Sequence, residues 1–125
     1  MGMGNGRVGR FPDGALIFRQ GDPADAMYVI KSGRVGIFRR QDGRDVQIGT
    51  CHSGDCFGEM ALFDDKPRSA TARSVGDAEI EIVTLAEFRA RVTDPAVWGV
   101  LTRLSERVRR LDETIDELRA AAKER

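Results

Sequence analysis

Between Phe57 and Ala72 the chain reads Phe-Gly-Glu-Met-Ala-Leu-Phe-Asp-Asp-Lys-Pro-Arg-Ser-Ala-Thr-Ala. The Gly58-Glu59 step opens one short helical turn, a polar loop follows, and Arg68 and Ser69 enter a strand. Together these residues describe an anion site. Arg68 is its cation, because the planar fork of a guanidinium donates two parallel hydrogen bonds to phosphate oxygens, a geometry that the point charge of a lysine cannot copy. Lys66 is therefore the weaker candidate. Backbone N–H groups at Gly58, Glu59, Met60 and Ala61 add to the positive field, since a helix start leaves its first donors unpaired, and Gly58 lets the backbone approach a ligand closely. The plainer alternative is that Arg68 pairs with Asp64 or Asp65 across a surface turn and that Glu59 only stabilises a helix N-terminus through the macrodipole.

Cys51, His52 and Cys56 lie within six residues and suggest a metal. A structural zinc site needs four ligands, and this chain has two Cys and one His in all, so two small buried thiols are the better reading and no metal is expected. The single His also leaves no nucleophile–base pair and too few ligands for a barrel-type metal enzyme, so no catalytic residue and no resident cofactor are expected.

These residues need a scaffold. At 125 residues the chain is long enough for one domain with one sizeable core. It carries no apolar run of membrane-span length and no secretory leader, so a cytoplasmic protein with no membrane contact is expected. The formal net charge is zero, which lacks the basic footprint of a nucleic-acid surface. From Ala15 to Val83, short β-rich runs alternate with turn residues, the pattern of an all-β sandwich or barrel. Strands are expected at Ala15 to Arg19, Ala26 to Ile30, Val35 to Arg39, Val46 to Thr50, Ser69 to Arg73 and Glu79 to Val83. Turns are expected at Gly14, Gly21-Asp22, Ser32-Gly33, Asp42-Gly43, Ser53-Gly54 and Gly76-Asp77, with Gln41-Asp42-Gly43-Arg44 the clearest hairpin. Residues 1–10 read as a flexible or cloning-derived leader, 11–94 as the β core and 95–125 as a C-terminal helix.

Thr84 and Glu87 form a capping box that opens a short helix over Leu85 to Arg91. Asp94 then caps a second helix with Pro95 at its first position. Val97, Leu101, Leu104, Val108, Leu111, Ile115, Leu118 and Ala122 recur in steps of four and three. This heptad seam places Leu101, Val108 and Ile115 at a and Leu104, Leu111 and Leu118 at d, as in a parallel two-stranded coil. The reading is packing on the chain's own barrel before Leu104 and a homodimer, formed through 101–122, beyond it. Arg107 at g would face Asp112 at e of the partner.

The sixteen residues from Phe57 to Ala72 closely resemble the phosphate-binding cassette of cyclic-nucleotide-binding domains. The glycine pattern Gly21-Asp22…Met27-Tyr28-Val29-Ile30-x-x-Gly33 extends the likeness, and Arg103-Leu104-Ser105 and Arg109-Arg110-Leu111 resemble the dimer helix of the catabolite activator protein-like sensor domains. The resemblance covers roughly Phe11 to Leu118. It implies a mainly β fold with helices, a β-roll or jelly-roll barrel followed by a short helix and a long C-terminal helix. It also implies a bacterial regulatory domain that binds a cyclic purine mononucleotide without catalysis, cAMP first and cGMP second, and signals through movement of its C-terminal helix. The ligand-binding residues would be Phe57, Gly58, Glu59, Met60, Ala61, Arg68, Ser69 and Ala70. Glu59 would accept from the ribose 2′-OH, as suits an ionised carboxylate that would repel phosphate, and Ser69 would place its hydroxyl on the phosphate. Arg109, Arg110 and Thr114 are the candidate lid contacts. The family's helix before the first strand has no counterpart here, and the chain reads as either a free-standing sensor or the sensor part of a regulator, channel or enzyme. The alternative function is a dimeric interaction module of the same fold that no longer depends on nucleotide.

Overall fold

A computed structural model describes residues 7–123, and in it the alternating runs and turns close into one six-stranded antiparallel sheet. Its strands are β1 (Arg7–Phe11), β2 (Leu16–Phe18), β3 (Ala26–Gln41), β4 (Arg44–His52), β5 (Cys56–Phe57) and β6 (Thr71–Thr84). The order is β1-β6-β3-β4, with β2 also on β6 and β5 also on β3. Three helices complete the chain: α1 (Met60–Asp64), α2 (Leu85–Arg91) and α3 (Pro95–Lys123). The fold class is the one the sequence implies, a mainly antiparallel β-roll followed by a short helix and a long one.

Four of the expected strands merge into two. β3 spans both Ala26 to Ile30 and Val35 to Arg39, and β6, which begins only at Thr71 of the expected Ser69 to Arg73 run, continues through Glu79 to Val83, so Ser32-Gly33 and Gly76-Asp77 are bends inside long strands and not reversals. The β3–β6 ladder shifts register on either side of Ser32. Gly33 makes that bend possible: its φ is +87°, and a Cβ there would lie 2.4 Å from the Asp77 carbonyl oxygen. The expected hairpin is present, with Gln41 opposite Arg44 and positive φ at both Asp42 and Gly43.

The N-terminal expectation needs correction. Residues 1–6 lie outside the described residues, but Arg7 to Arg10 belong to β1, paired with β6 from Arg7↔Ile82 to Phe11↔Ala78. A polar edge strand with one solvated face carries little apolar signal, which is why its sequence reads as a leader.

Two apolar clusters hold the roll together. Ile30, Val35, Phe57, Ala72, Ala78 and Ile80 fill its interior. Met27, Leu62, Val83 and Phe88 form a second cluster that takes in Phe63, Trp98 and Leu101, so it fastens all three helices to the sheet. Phe63, Phe88 and Trp98 meet with ring centroids 5.3–5.8 Å apart, contacts that add roughly 0.5–1.5 kcal/mol per pair beyond area burial. Both helix starts are as read: Thr84 Oγ1 accepts from Glu87 N at 3.1 Å and Asp94 Oδ1 from Ala96 N at 2.9 Å. Beyond Leu101 the apolar stripe of α3 turns away from the roll, leaving Leu104, Val108, Leu111, Ile115 and Leu118 between 44% and 65% exposed. Asp112 does not wait for a partner chain's Arg107: its carboxylate accepts from Arg39 of its own roll at 3.1 Å.

Candidate ligand-binding site

The cassette is the segment that joins β5 to β6 through α1. Phe57 ends β5 inside the main core, and Gly58 follows at φ +74°. A Cβ on Gly58 would lie 2.6 Å from Arg68 Nη1, so the missing side chain is what lets the guanidinium lie against the start of the helical turn. Glu59 occupies the N-cap position of α1 without making a side-chain capping bond. Helix capping therefore does not occupy its carboxylate, and Glu59 is among the residues that line the cleft.

Arg68 does not pair with Asp64 or Asp65. It is 5% exposed and donates from Nη1 to the Gly58 carbonyl and from Nη2 to the Ala26 carbonyl, both at 2.7 Å. Its guanidinium carbon sits 4.2 Å from the Phe18 ring centroid and 5.5 Å from that of Tyr28. Its Nε is buried with no partner. Burial lowers the pKa of Arg68, with Tyr28, Asp25 and Asp22 opposing it, and burial in turn raises that of Tyr28 against the pull of Arg68. A guanidinium stays charged under these conditions. The result is a desolvated cation held by neutral carbonyls and ring faces, with no carboxylate in ion-pair contact among the described residues.

Phe57, Gly58, Glu59, Met60, Arg68, Ser69 and Ala70 all line one cleft of about 240 Å³. Ala61, also expected among them, has a side chain that lies outside the described residues. Opposite the cassette, Phe18, Ile37 and Ile48 supply an apolar face, while Arg109 and Asp112 of α3 bring charge to the rim. The volume falls below the roughly 300–1,000 Å³ typical of ligand pockets, consistent with a helix lying across the mouth.

The lid expectation is half corrected. Arg109 is buried and donates to both oxygens of Asp64 and, at 3.4 Å, to the Pro67 carbonyl, which ties α3 to the loop before Arg68. Arg110 and Thr114 are exposed and off the cleft; the Thr114 hydroxyl donates to the Arg110 carbonyl within the helix. The face of α3 that meets the roll runs through Ser105, Arg109, Asp112 and Asp116. Cys51 is half-buried, but Cys56 is exposed, so the expectation of two buried thiols holds for neither fully. Both border the cleft, and burial raises the pKa of each, with Asp55 and Glu59 adding to the effect.

The residue that sequence reading missed is Arg39. It is 9% exposed. Its Nη1 donates to both carboxylate oxygens of Asp116 at 3.0 and 2.9 Å, its Nη2 to Asp112 at 3.1 Å and its Nε to the Ser69 carbonyl at 3.2 Å. One side chain thus joins β3, the cassette and α3. A signal existed: Val35, Ile37 and Arg39 occupy one alternating face of β3, and a charge in the place of an apolar residue marks a buried partner.

Residues 8–93 match the family described as cyclic nucleotide-binding domain. The chain belongs to that family. It is 33% identical over 111 residues to a CRP-like cAMP-activated global transcriptional regulator of Mycobacterium tuberculosis, an alignment covering 86% of this chain and 50% of the relative. Among solved structures, an EAL enzyme in its cAMP-bound form superposes with a TM-score of 0.76 at 30% identity, covering 94% of this chain and 32% of that one; the cGMP-bound form of the same enzyme gives 0.75 at 31%. The catabolite activator protein of Thermus thermophilus gives 0.75 at 30%, covering 93% and 56%. This domain therefore spans about half the length of the regulator that it matches.

Proposed function

We propose that this domain is a non-catalytic sensor of cyclic purine mononucleotides, with cAMP its preferred ligand, and that it reports occupancy through α3. The observation that carries the reading is Arg68, a buried guanidinium without an anionic partner, set in the same cleft as the uncapped Glu59 carboxylate and the Ser69 hydroxyl and facing an apolar wall. A cyclic nucleotide offers one feature for each: a phosphate charge, a ribose hydroxyl and a purine. The M. tuberculosis relative is named as cAMP-activated, which favours cAMP. The EAL enzyme occurs in both cAMP-bound and cGMP-bound forms, which argues for a small preference.

The domain performs no chemistry in this reading. Nucleotide binds more tightly to one position of α3 than to another, and the difference in affinity sets the response. The exposed stripe from Leu104 to Leu118 forms a homodimer in a bacterial cytoplasm. Calorimetric titration with cAMP and cGMP tests the proposal: saturable heat with cAMP, weaker with cGMP, is expected. No heat with either would leave the nucleotide-independent dimeric module as the better account.

A further inference from the structure

The loop that carries Gln20 and Gly21 forms one wall of a second cleft, of about 520 Å³, lined also by Arg19, Arg40, Arg73, Thr71 and Asp45. Three guanidinia share this concavity with one carboxylate, so its walls carry two net positive charges. None of Arg19, Arg40 or Arg73 makes an ion pair or a side-chain hydrogen bond among the described residues. This contrasts with Arg39 and Arg109 beside the first cleft, whose guanidinia are held by carboxylates and carbonyls.

The placement follows from strand register. Thr71 and Arg73 alternate on one face of β6, opposite Phe38 and Gly36 of β3, and Arg40 follows Phe38 on the same face of β3. Asp45 is the cross-strand partner of Arg40, and Arg19 comes directly after β2. The floor is fixed: Gln20 N donates to the buried Thr71 Oγ1 at 2.9 Å, and Arg40 N donates to Gln20 Oε1 at 2.9 Å. The loop's other edge is bonded to the cassette, Gly21 N to the Arg68 carbonyl and Arg68 N to the Asp22 carbonyl, each at 2.8 Å.

We propose that this cleft is a second anion site that takes a small molecule bearing two or more phosphate groups. Unpaired guanidinia converging on one space repel each other, and a compact polyanion relieves that repulsion through bidentate contacts. A single phosphate would leave part of the charge uncovered, whereas a diphosphate spans two forks.

Titration of the full chain with inorganic pyrophosphate at constant ionic strength, followed by amide and guanidinium NMR shifts, tests the site. Saturable shifts at Arg19, Gln20, Gly21, Thr71 and Arg73 are expected, weakened by about tenfold or more in the Arg40→Gln/Arg73→Gln double variant. The exposed single change Arg19→Gln should weaken them too and serves as the reading if the double variant folds poorly. Arg68→Ala should leave them unchanged, which keeps the result separate from cyclic-nucleotide binding. Equal shifts in parent and double variant, or the same shifts with sodium chloride at matched ionic strength, would overturn the proposal.

Discussion

Replacing Arg68 with Ala removes the one buried cation among the described residues that has no anionic partner, and its consequences for stability and for binding should separate. In the unliganded domain the change strips the donors from the Gly58 and Ala26 carbonyls. Each unsatisfied carbonyl costs about 1–3 kcal/mol. The same change also removes a desolvated charge whose Nε is unpaired, an offset of similar size. The net change in folding stability should therefore be small, roughly within 2 kcal/mol of zero. Binding has no such offset, because the phosphate loses a bidentate, charge-assisted contact worth about 2–4 kcal/mol. At 1.4 kcal/mol per decade this is roughly a 30- to 1,000-fold rise in Kd. Thermal unfolding with cAMP checks both at once. At 100 times the parent's Kd the ligand should stabilise the parent by about 2.7 kcal/mol, whereas a variant with a 100-fold weaker Kd should gain only about 0.4 kcal/mol. Arg68→Lys should recover part of the binding, since it restores the charge but not the fork. An Arg68→Ala variant that binds cAMP as tightly as the parent would refute the cassette assignment.

Three further outcomes are expected. Competition measurements should give cAMP the lower Kd over cGMP by about 1 kcal/mol, one hydrogen bond's worth, because the Ser69 hydroxyl can still reach guanine; a lower Kd for cGMP would reverse the preference. Arg39→Gln should loosen α3 by roughly 1–2 kcal/mol, the value of its bidentate contact discounted because Asp112 and Asp116 are 33% and 42% exposed. Hydrogen exchange should then accelerate from Asp112 onward and not around Trp98, and unchanged exchange would count against Arg39 holding α3 to the roll. Leu111→Asp should convert a dimer into a folded monomer in sedimentation at micromolar concentration, because two carboxylates would face each other across the seam at a cost of several kcal/mol; a monomeric parent would sink the dimer.

The cassette was legible because it is local. Its residues from Phe57 to Ala70 are consecutive, so one stretch of chain fixes which types meet. The other wall of the cleft is not local: Phe18, Ile37 and Ile48 reach it through strand register, and Arg39 reaches Ser69 and Asp116 across 30 and 77 residues. Register is set by bends that the sequence marks ambiguously, since a glycine at positive φ serves a reversal and an in-strand kink equally well. Gly33 and Gly76 read as turns for that reason. The lid misassignment has a different cause. Each helical residue turns the phase by about 100°, so reading Arg109 and Arg110 as a pair could not choose between them, and the choice fell to Arg109 through its carboxylate partner Asp64, 45 residues earlier.

The geometry of α3 explains how a small event in the cleft could reach a distant partner. One face, through Ser105, Arg109, Asp112 and Asp116, is bonded to the cassette and to Arg39, while Leu104, Val108, Leu111, Ile115 and Leu118 point away from it. A helix is stiff over this length, so the polar face cannot shift without carrying the apolar one. The polar bonds are also the breakable ones: Arg39 and Arg109 line the same cleft as Arg68, and a phosphate entering there competes with Asp112 and Asp64 for their guanidinia. The apolar cluster at Trp98 and Leu101, with nothing in it for an anion to displace, holds the start of the helix where it is. Motion driven by ligand should therefore pivot about Trp98 and grow toward Leu118, so that the half of the helix carrying the exposed seam is the half that the cleft controls.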